Sequence, residues 1–205
     1  VVFIGKKQYP GMFTRRAFDE LADELPDNVL AKRRDMLNLD DDINIQYTSG
    51  STRFPRGVVI KHHAAMANIR GMVVDGLRID SNDRLAAWLP FYHDMGLVGF
   101  VLVPVAAQIS VDYLDTKNFA MRPRQWLNLM TQTRATISFA PSFGYDLCAR
   151  RLRDADIEKY DLSNWRIAGI GAEMIRPQTL ELFAEKLEPC GFDSRAFLAC
   201  YGMAE

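Results

Sequence analysis

Residues Tyr47 to Gly57 read YTSGSTRFPRG, and the meaning of the chain turns on this stretch. Gly50 sits among Thr48, Ser49, Ser51 and Thr52, and Arg53, Pro55, Arg56 and Gly57 follow. Upstream, Ile43-Asn44-Ile45-Gln46-Tyr47 alternates like a strand; downstream, Val58-Val59-Ile60 is a short β-branched run. A loop between strands that is rich in glycine and hydroxyls and carries two arginines has the composition of a phosphate cradle. Glycines let backbone N–H groups approach an anion, hydroxyls add donors or metal ligands, and guanidinium offers a planar fork. The same composition also fits an ordinary Ser/Gly turn. It is not a Walker A sequence, because Val58 follows Gly57 where that motif needs Lys and then Ser or Thr.

The bulk composition narrows the classes. At 205 residues and 48% hydrophobic content, the chain can bury one sizeable core or two small ones. Twenty-five basic against 26 acidic residues give a net charge of −1, which argues against a broad nucleic-acid footprint or an anionic-membrane binder. Cys148, Cys190 and Cys200 are odd in number and lack a CxxC spacing, so neither a disulfide framework nor a zinc site is suggested. A reducing cytoplasm is the natural setting for such thiols. No run approaches the roughly 18 apolar residues of a membrane span. The opening VVFIGKKQYP reads as a strand, not a signal peptide.

Along the chain, Val1–Ile4 reads as a buried strand, and Thr14 caps a helix to about Leu25. Residues 27–42 look like an exposed, charged connector. Helices are expected over His62–Leu77, Met95–Ala107 (nearly all apolar, hence buried), from Pro123, over Ser142–Arg153 and over Pro177–Leu187. Strands are expected at Arg84–Leu89, Val111–Leu114, Thr136–Ala140, Arg166–Ile170 and Phe197–Tyr201. The alternation predicts an α/β fold, its sheets largely parallel and flanked by helices. Glu205 follows directly on a strand and turn, a poor place to end a sheet, so the chain reads as a partial domain.

In open α/β sheets, ligands sit outside the carboxyl ends of the strands. After Leu89 comes Pro90-Phe91-Tyr92-His93-Asp94, and after Phe139 comes Ala140-Pro141-Ser142-Phe143. After Ile170 comes Gly171-Ala172-Glu173, and after Cys200 comes Tyr201-Gly202-Met203-Ala204-Glu205. With the hydroxyl loop, five consecutive strand ends carry glycine, aromatic, hydroxyl or ionisable residues. Singly, each has a structural reading: His93 as a general base or as a turn histidine, His62-His63 as helix surface, Glu205 as an exposed carboxylate. Adjacent side chains in an extended segment point apart, so Asp94 need not hold His93.

Together these loops resemble the adenylate-forming superfamily of acyl- and aryl-CoA synthetases, luciferases and peptide-synthetase adenylation domains. The carrying motifs are YTSGSTRFPRG (47–57), WLPFYHDMGL (88–97), APSF (140–143), IGAE (170–173) and YGMAE (201–205). Arg53 and the HDMG segment make the chain most similar to the fatty acyl-AMP ligases; the wider superfamily has glycine and lysine where Arg53 and Arg56 stand. The resemblance implies activation of a fatty acid with ATP to an acyl-adenylate, releasing pyrophosphate. Transfer to the phosphopantetheine thiol of an acyl carrier protein, free or in a polyketide or peptide synthase module, would follow. It implies that Thr48, Ser49, Gly50, Ser51, Thr52 and Arg53 hold the phosphates, with Arg56 neutralising charge. His93 and Arg56 are thereby the catalytic candidates. Thr48 and Glu205 would help hold Mg²⁺; Gly171, Ala172 and Glu173 would edge the adenine; Tyr201 would stack on it, followed by Gly202, Met203 and Ala204. Met95, Gly96, Phe139 and Ser142 fit an acyl tunnel or core packing equally.

The family's ribose-binding aspartate, hinge and small lysine-bearing domain lie past the YGMAE segment, as does the insertion thought to disfavour coenzyme A. The expectation is therefore a partial N-terminal adenylation domain, inactive alone. The alternatives are an acyl- or aryl-CoA synthetase of the same superfamily and a non-catalytic nucleotide-binding module.

Overall fold

Strands alternate with helices from Arg84 to Ala199, and those strands join one parallel sheet. The computed structural model describes residues 2–3, 10–48 and 54–204, which fall in two compact units, Val1–Asp41 and Asp42–Glu205.

In the first unit, β1 (Val2–Phe3) pairs in parallel with β2 (Phe13–Thr14). The expected helix is α1 (Arg15–Asp23), and Thr14 caps it by accepting the Ala17 N–H on Oγ1 at 3.1 Å. The expected connector contains a helix, α2 (Val29–Asp35). Its charges are exposed as predicted, but Lys32, Arg33 and Arg34 occupy the last turn, where the helix dipole favours cations.

The second unit starts with β3 (Asp42–Tyr47) and β4 (Gly57–Lys61), antiparallel with Ile45 opposite Val59. This ribbon is its own two-stranded sheet, so β3 and β4 are not strands of the main sheet. Helix α3 (His62–Arg70) continues into a π turn over Gly71–Gly76. The main sheet comprises β5 (Arg84–Ala87), β6 (Ser110–Tyr113), β7 (Ile137–Ala140), β8 (Ile167–Ile170) and β9 (Phe197–Ala199) in the order β6-β5-β7-β8-β9. All neighbours are parallel, with Leu85 level with Val111 and Ile137, and Ile137 with Ile167.

The apolar run after β5 forms α4 (Asp94–Leu97), a π segment over Val98–Leu102 and α5 (Val103–Ala107). It is half-buried where full burial was expected: Phe100 and Val103 are enclosed, but Val105 is 66% exposed. Helix α6 (Thr116–Met121) was not predicted; Asp115 caps it by accepting the Lys117 and Asn118 N–H groups, each at 3.0 Å. Helices α7 (Arg124–Thr133), α8 (Ser142–Arg151) and α9 (Pro177–Leu187) complete the layers.

Every residue of β7 and β8 is buried, as expected of parallel strands covered on both faces. Ser138 is tolerated there because its Oγ donates to Ala86 O at 2.6 Å and accepts the Trp126 indole N–H at 2.9 Å. At the amino ends of β5, β7 and β8, Asp83 accepts from Thr136 Oγ1 and Arg166 Nε, each at 2.7 Å. Burial opposes the Asp83 charge, but the Arg166 and Thr136 hydrogen bonds prevail and hold its carboxyl below the ordinary value.

Candidate active site

The strand order reverses between β5 and β7: the chain leaves β5 toward β6, then returns to the other side and runs through β7, β8 and β9. At such a reversal the flanking connections diverge and leave a crevice outside the carboxyl ends. The loops that flank this reversal are the one after β5, which carries His93, and the one after β7, which carries Ser142 and Phe143. The Trp88 and Phe143 rings meet from the two loops, edge to face, with centroids 5.9 Å apart. Trp88 is fixed from behind by stacking on Phe119 at 3.6 Å.

His93 stands at the N-cap of α4, with Nδ1 2.7 Å from Asp94 Oδ1. The Met95 N–H lies 2.7 Å from that same Asp94 oxygen and 3.2 Å from Nδ1. One ring nitrogen cannot both donate and accept, so the shorter contacts assign both donors to Asp94 and leave Nε2 as the acceptor. This corrects the expectation that the two side chains diverge. His93 is extended (φ −100°, ψ 139°), but Asp94 opens the helix and its carboxylate turns back. Gly96 sets the approach of that helix: a Cβ there would lie 2.1 Å from Pro90 O.

Thr48 and Arg56 close the hairpin tip. The Thr48 N–H donates to Arg56 O at 2.9 Å, and the Arg56 N–H donates to Thr48 Oγ1 at 3.2 Å. The Arg56 side chain is exposed, while Ser49, Gly50, Ser51, Thr52 and Arg53 lie outside the described residues. Gln46, which sequence reasoning did not single out, links the ribbon to the His93 turn by donating from Nε2 to Tyr92 O at 3.5 Å. Its only signal was a polar residue on one face of an alternating strand.

On the other side, a Cβ on Gly171 would lie 2.3 Å from Cys200 O, so only glycine lets the loops after β8 and β9 run together. Ala172 takes the left-handed conformation, φ +63°. Glu173 reaches across to the start of α8, where Oε1 accepts the Phe143 N–H at 2.8 Å, and Ser142 Oγ donates to Met174 O at 3.1 Å. Tyr201 is 86% exposed with an open ring face, followed by exposed Gly202 and Met203 and half-buried Ala204; Glu205 lies outside the described residues. Cys200 beside this loop is no activated nucleophile, since burial pushes its thiol pKa up.

His93, Ser142, Gly171, Ala172, Glu173 and Tyr201 therefore share one sheet edge, and Gln46 ties the separate ribbon to it. The tunnel candidates divide differently. Phe139 lies on Gly169, Gly96 lies against Pro90, and buried Ser142 ties two loops together. Met95 is half-buried against the core. Among the described residues, no three His, Cys, Asp or Glu side chains cluster to hold a metal unaided. Thr48 Oγ1 accepts the Arg56 N–H with one lone pair, and its second lone pair could serve a cation or its water. Such a ligand suits Mg²⁺, which takes few protein groups and completes its shell with waters and substrate phosphates.

A model of the AMP-binding family, described as "AMP-binding enzyme", matches residues 9–205. A putative acyl-CoA synthetase of Caulobacter vibrioides is 49% identical over 166 residues, covering 81% of this chain and 29% of that protein. A medium-chain-fatty-acid–[acyl-carrier-protein] ligase of Teredinibacter turnerae is 43% identical over 166 residues, covering 80% of this chain and 26% of that protein. A solved chain from work on fatty acyl-adenylate ligases of E. coli and L. pneumophila superposes with a TM-score of 0.79 at 49% identity, covering 95% of this chain and 34% of that one. The chain thus spans between a quarter and about a third of the length of these relatives.

Proposed function

We propose that this chain, which belongs to the AMP-binding enzyme family, supplies the phosphate, adenine and carboxylate contacts of a ligase that turns a fatty acid and ATP into a fatty acyl-adenylate and pyrophosphate. The observation that carries the reading is the grouping of His93, Ser142, Gly171 to Glu173 and Tyr201 at the strand-order reversal, with the hydroxyl hairpin tied in by Gln46. In-line displacement at phosphorus needs positioning and charge neutralisation more than covalent chemistry. Thr48 to Arg53 and the Arg56 guanidinium would hold the β- and γ-phosphates, and Tyr201 would stack on the adenine beside Gly171, Ala172 and Glu173. His93 Nε2, once protonated, would donate to the carboxylate and α-phosphate oxygens, while Asp94 steadies the ring through Nδ1. Thr48, with Glu205, would help hold Mg²⁺, whose role when bound is to neutralise the phosphates.

In the proposed whole protein, residues 1–205 form part of the large N-terminal domain and a smaller domain completes the site. The proposed acceptor is the phosphopantetheine thiol of an acyl carrier protein or synthase module. Arg53 and the HDMG segment support it, as does the carrier-protein ligase similar over 80% of the chain. The relative named an acyl-CoA synthetase favours coenzyme A instead. We place the reaction in the cytoplasm, a setting that suits the unpaired Cys148 and Cys190. Among the described residues, no helix is long and apolar enough to cross a membrane. Offering the full-length protein a carrier protein and coenzyme A in parallel tests the acceptor. The carrier should be acylated and coenzyme A spared; efficient acyl-CoA formation would transfer the assignment to the synthetases.

A further inference from the structure

Away from the strand-end loops, a recess of about 360 Å³ opens where the start of α7, the end of α8 and the turn around Asp156 meet. Five cations line it (Arg122, Arg124, Arg151, Arg153 and Lys159) against one carboxylate, Asp156. In a chain whose net charge is −1, that is a local concentration of one sign. The Asp156 side chain is 4% exposed and works as an anchor. It accepts from Arg153 Nε at 2.8 Å, from Lys159 Nζ at 2.6 Å and from Arg124 Nη1. One negative charge cannot balance three positive ones, so the anchor fixes the cations and leaves them under-neutralised. Arg122 and Arg151 add two more charges, and neither has a carboxylate partner among the described residues.

Such a site repels itself when empty and is relieved by an anion carrying more than one charge. Guanidinium forks match the paired oxygens of a phosphoryl group, which one lysine-like point charge does not. The concavity favours a small ligand over a flat acidic protein face. We propose that this recess binds a small phosphoryl-bearing polyanion, either an inorganic polyphosphate or the phosphate end of an ester, separately from the nucleotide contacts.

The test is titration calorimetry on the full-length protein at low ionic strength, with pyrophosphate, glycerol 3-phosphate and citrate as probes. It compares wild type, Arg122→Ala/Arg151→Ala and Arg56→Ala. The double variant leaves the Asp156 anchor intact, so it should fold, and circular dichroism with its fatty-acid adenylation rate checks this independently. A phosphate probe should lose about tenfold in affinity in the double variant and little in Arg56→Ala, since the two lost guanidinium contacts are charge-assisted but partly screened by solvent. Pyrophosphate binding alone identifies an inorganic polyphosphate; glycerol 3-phosphate binding as well identifies the ester. The proposal is overturned if citrate binds as tightly and responds equally, if Arg56→Ala abolishes all binding, or if only an acidic carrier protein responds to Arg122 and Arg151.

Discussion

Arg56 joins two roles that mutation can separate. Its backbone N–H holds Thr48 Oγ1 and closes the hairpin, while its side chain is exposed at the tip. Arg56→Ala should leave the hairpin folded and lower kcat/KM for ATP by about 10- to 100-fold, the size of a lost charge-assisted phosphate contact. The KM for the fatty acid should hardly move. Steady-state kinetics with each substrate varied in turn checks this, and an unchanged ATP dependence would remove Arg56 from the phosphate site. Glu173 is separable in the same way, because its carboxylate caps the start of α8 through Phe143. Glu173→Ala should cost about 1 kcal/mol of stability, whereas Glu173→Gln keeps an acceptor and should stay close to wild type. Equal losses in the two variants, read by urea denaturation, would show that the charge matters and not the cap.

At the scale of elements, the two ends of the sheet make different predictions. At the carboxyl edge, Gly171→Ala places a methyl 2.3 Å from Cys200 O, a backbone atom with little room to give. We expect a loss of about 2 kcal/mol and a raised KM for ATP as the Tyr201 segment shifts; wild-type melting and kinetics would contradict the packing argument. At the amino edge, the Asp83 carboxyl is held below its ordinary 3.8. A depressed carboxyl stabilises the fold above its unfolded value and loses that contribution as pH falls through the folded one. Asp83→Asn should thus be about 2 kcal/mol less stable at neutral pH, allowing for the partial exposure of Arg166. The gap should narrow below pH 3.8, and a pH-independent gap would contradict the linkage. Legibility followed the same physics. Pro177 at the first helical position and apolar residues at helical spacing set α9 correctly to both ends. Helices α2 and α6 were missed because neither carries a long apolar stripe: α2 has only basic residues in its last turn, and α6 only the Asp115 cap. Alternation marked β3 as a strand but held no information about its sheet, because a pairing partner is a non-local choice.

For the molecule as a whole, the parallel sheet and its working edge were legible because buried parallel strands read as apolar runs and the loops between them carry the chemistry. The links that assemble the site were not. Gln46 to Tyr92, Glu173 to Phe143 and Trp88 to Phe143 join residues remote in sequence, and no local pattern announces them. They make the strand-order reversal one site, for which acyl-adenylate formation is the proposed chemistry. Fatty-acid-dependent exchange of labelled pyrophosphate into ATP by the full-length protein tests it most directly. Exchange should require the fatty acid and collapse in Arg56→Ala; ATP binding with no acid-dependent exchange would rule out adenylate formation at this site.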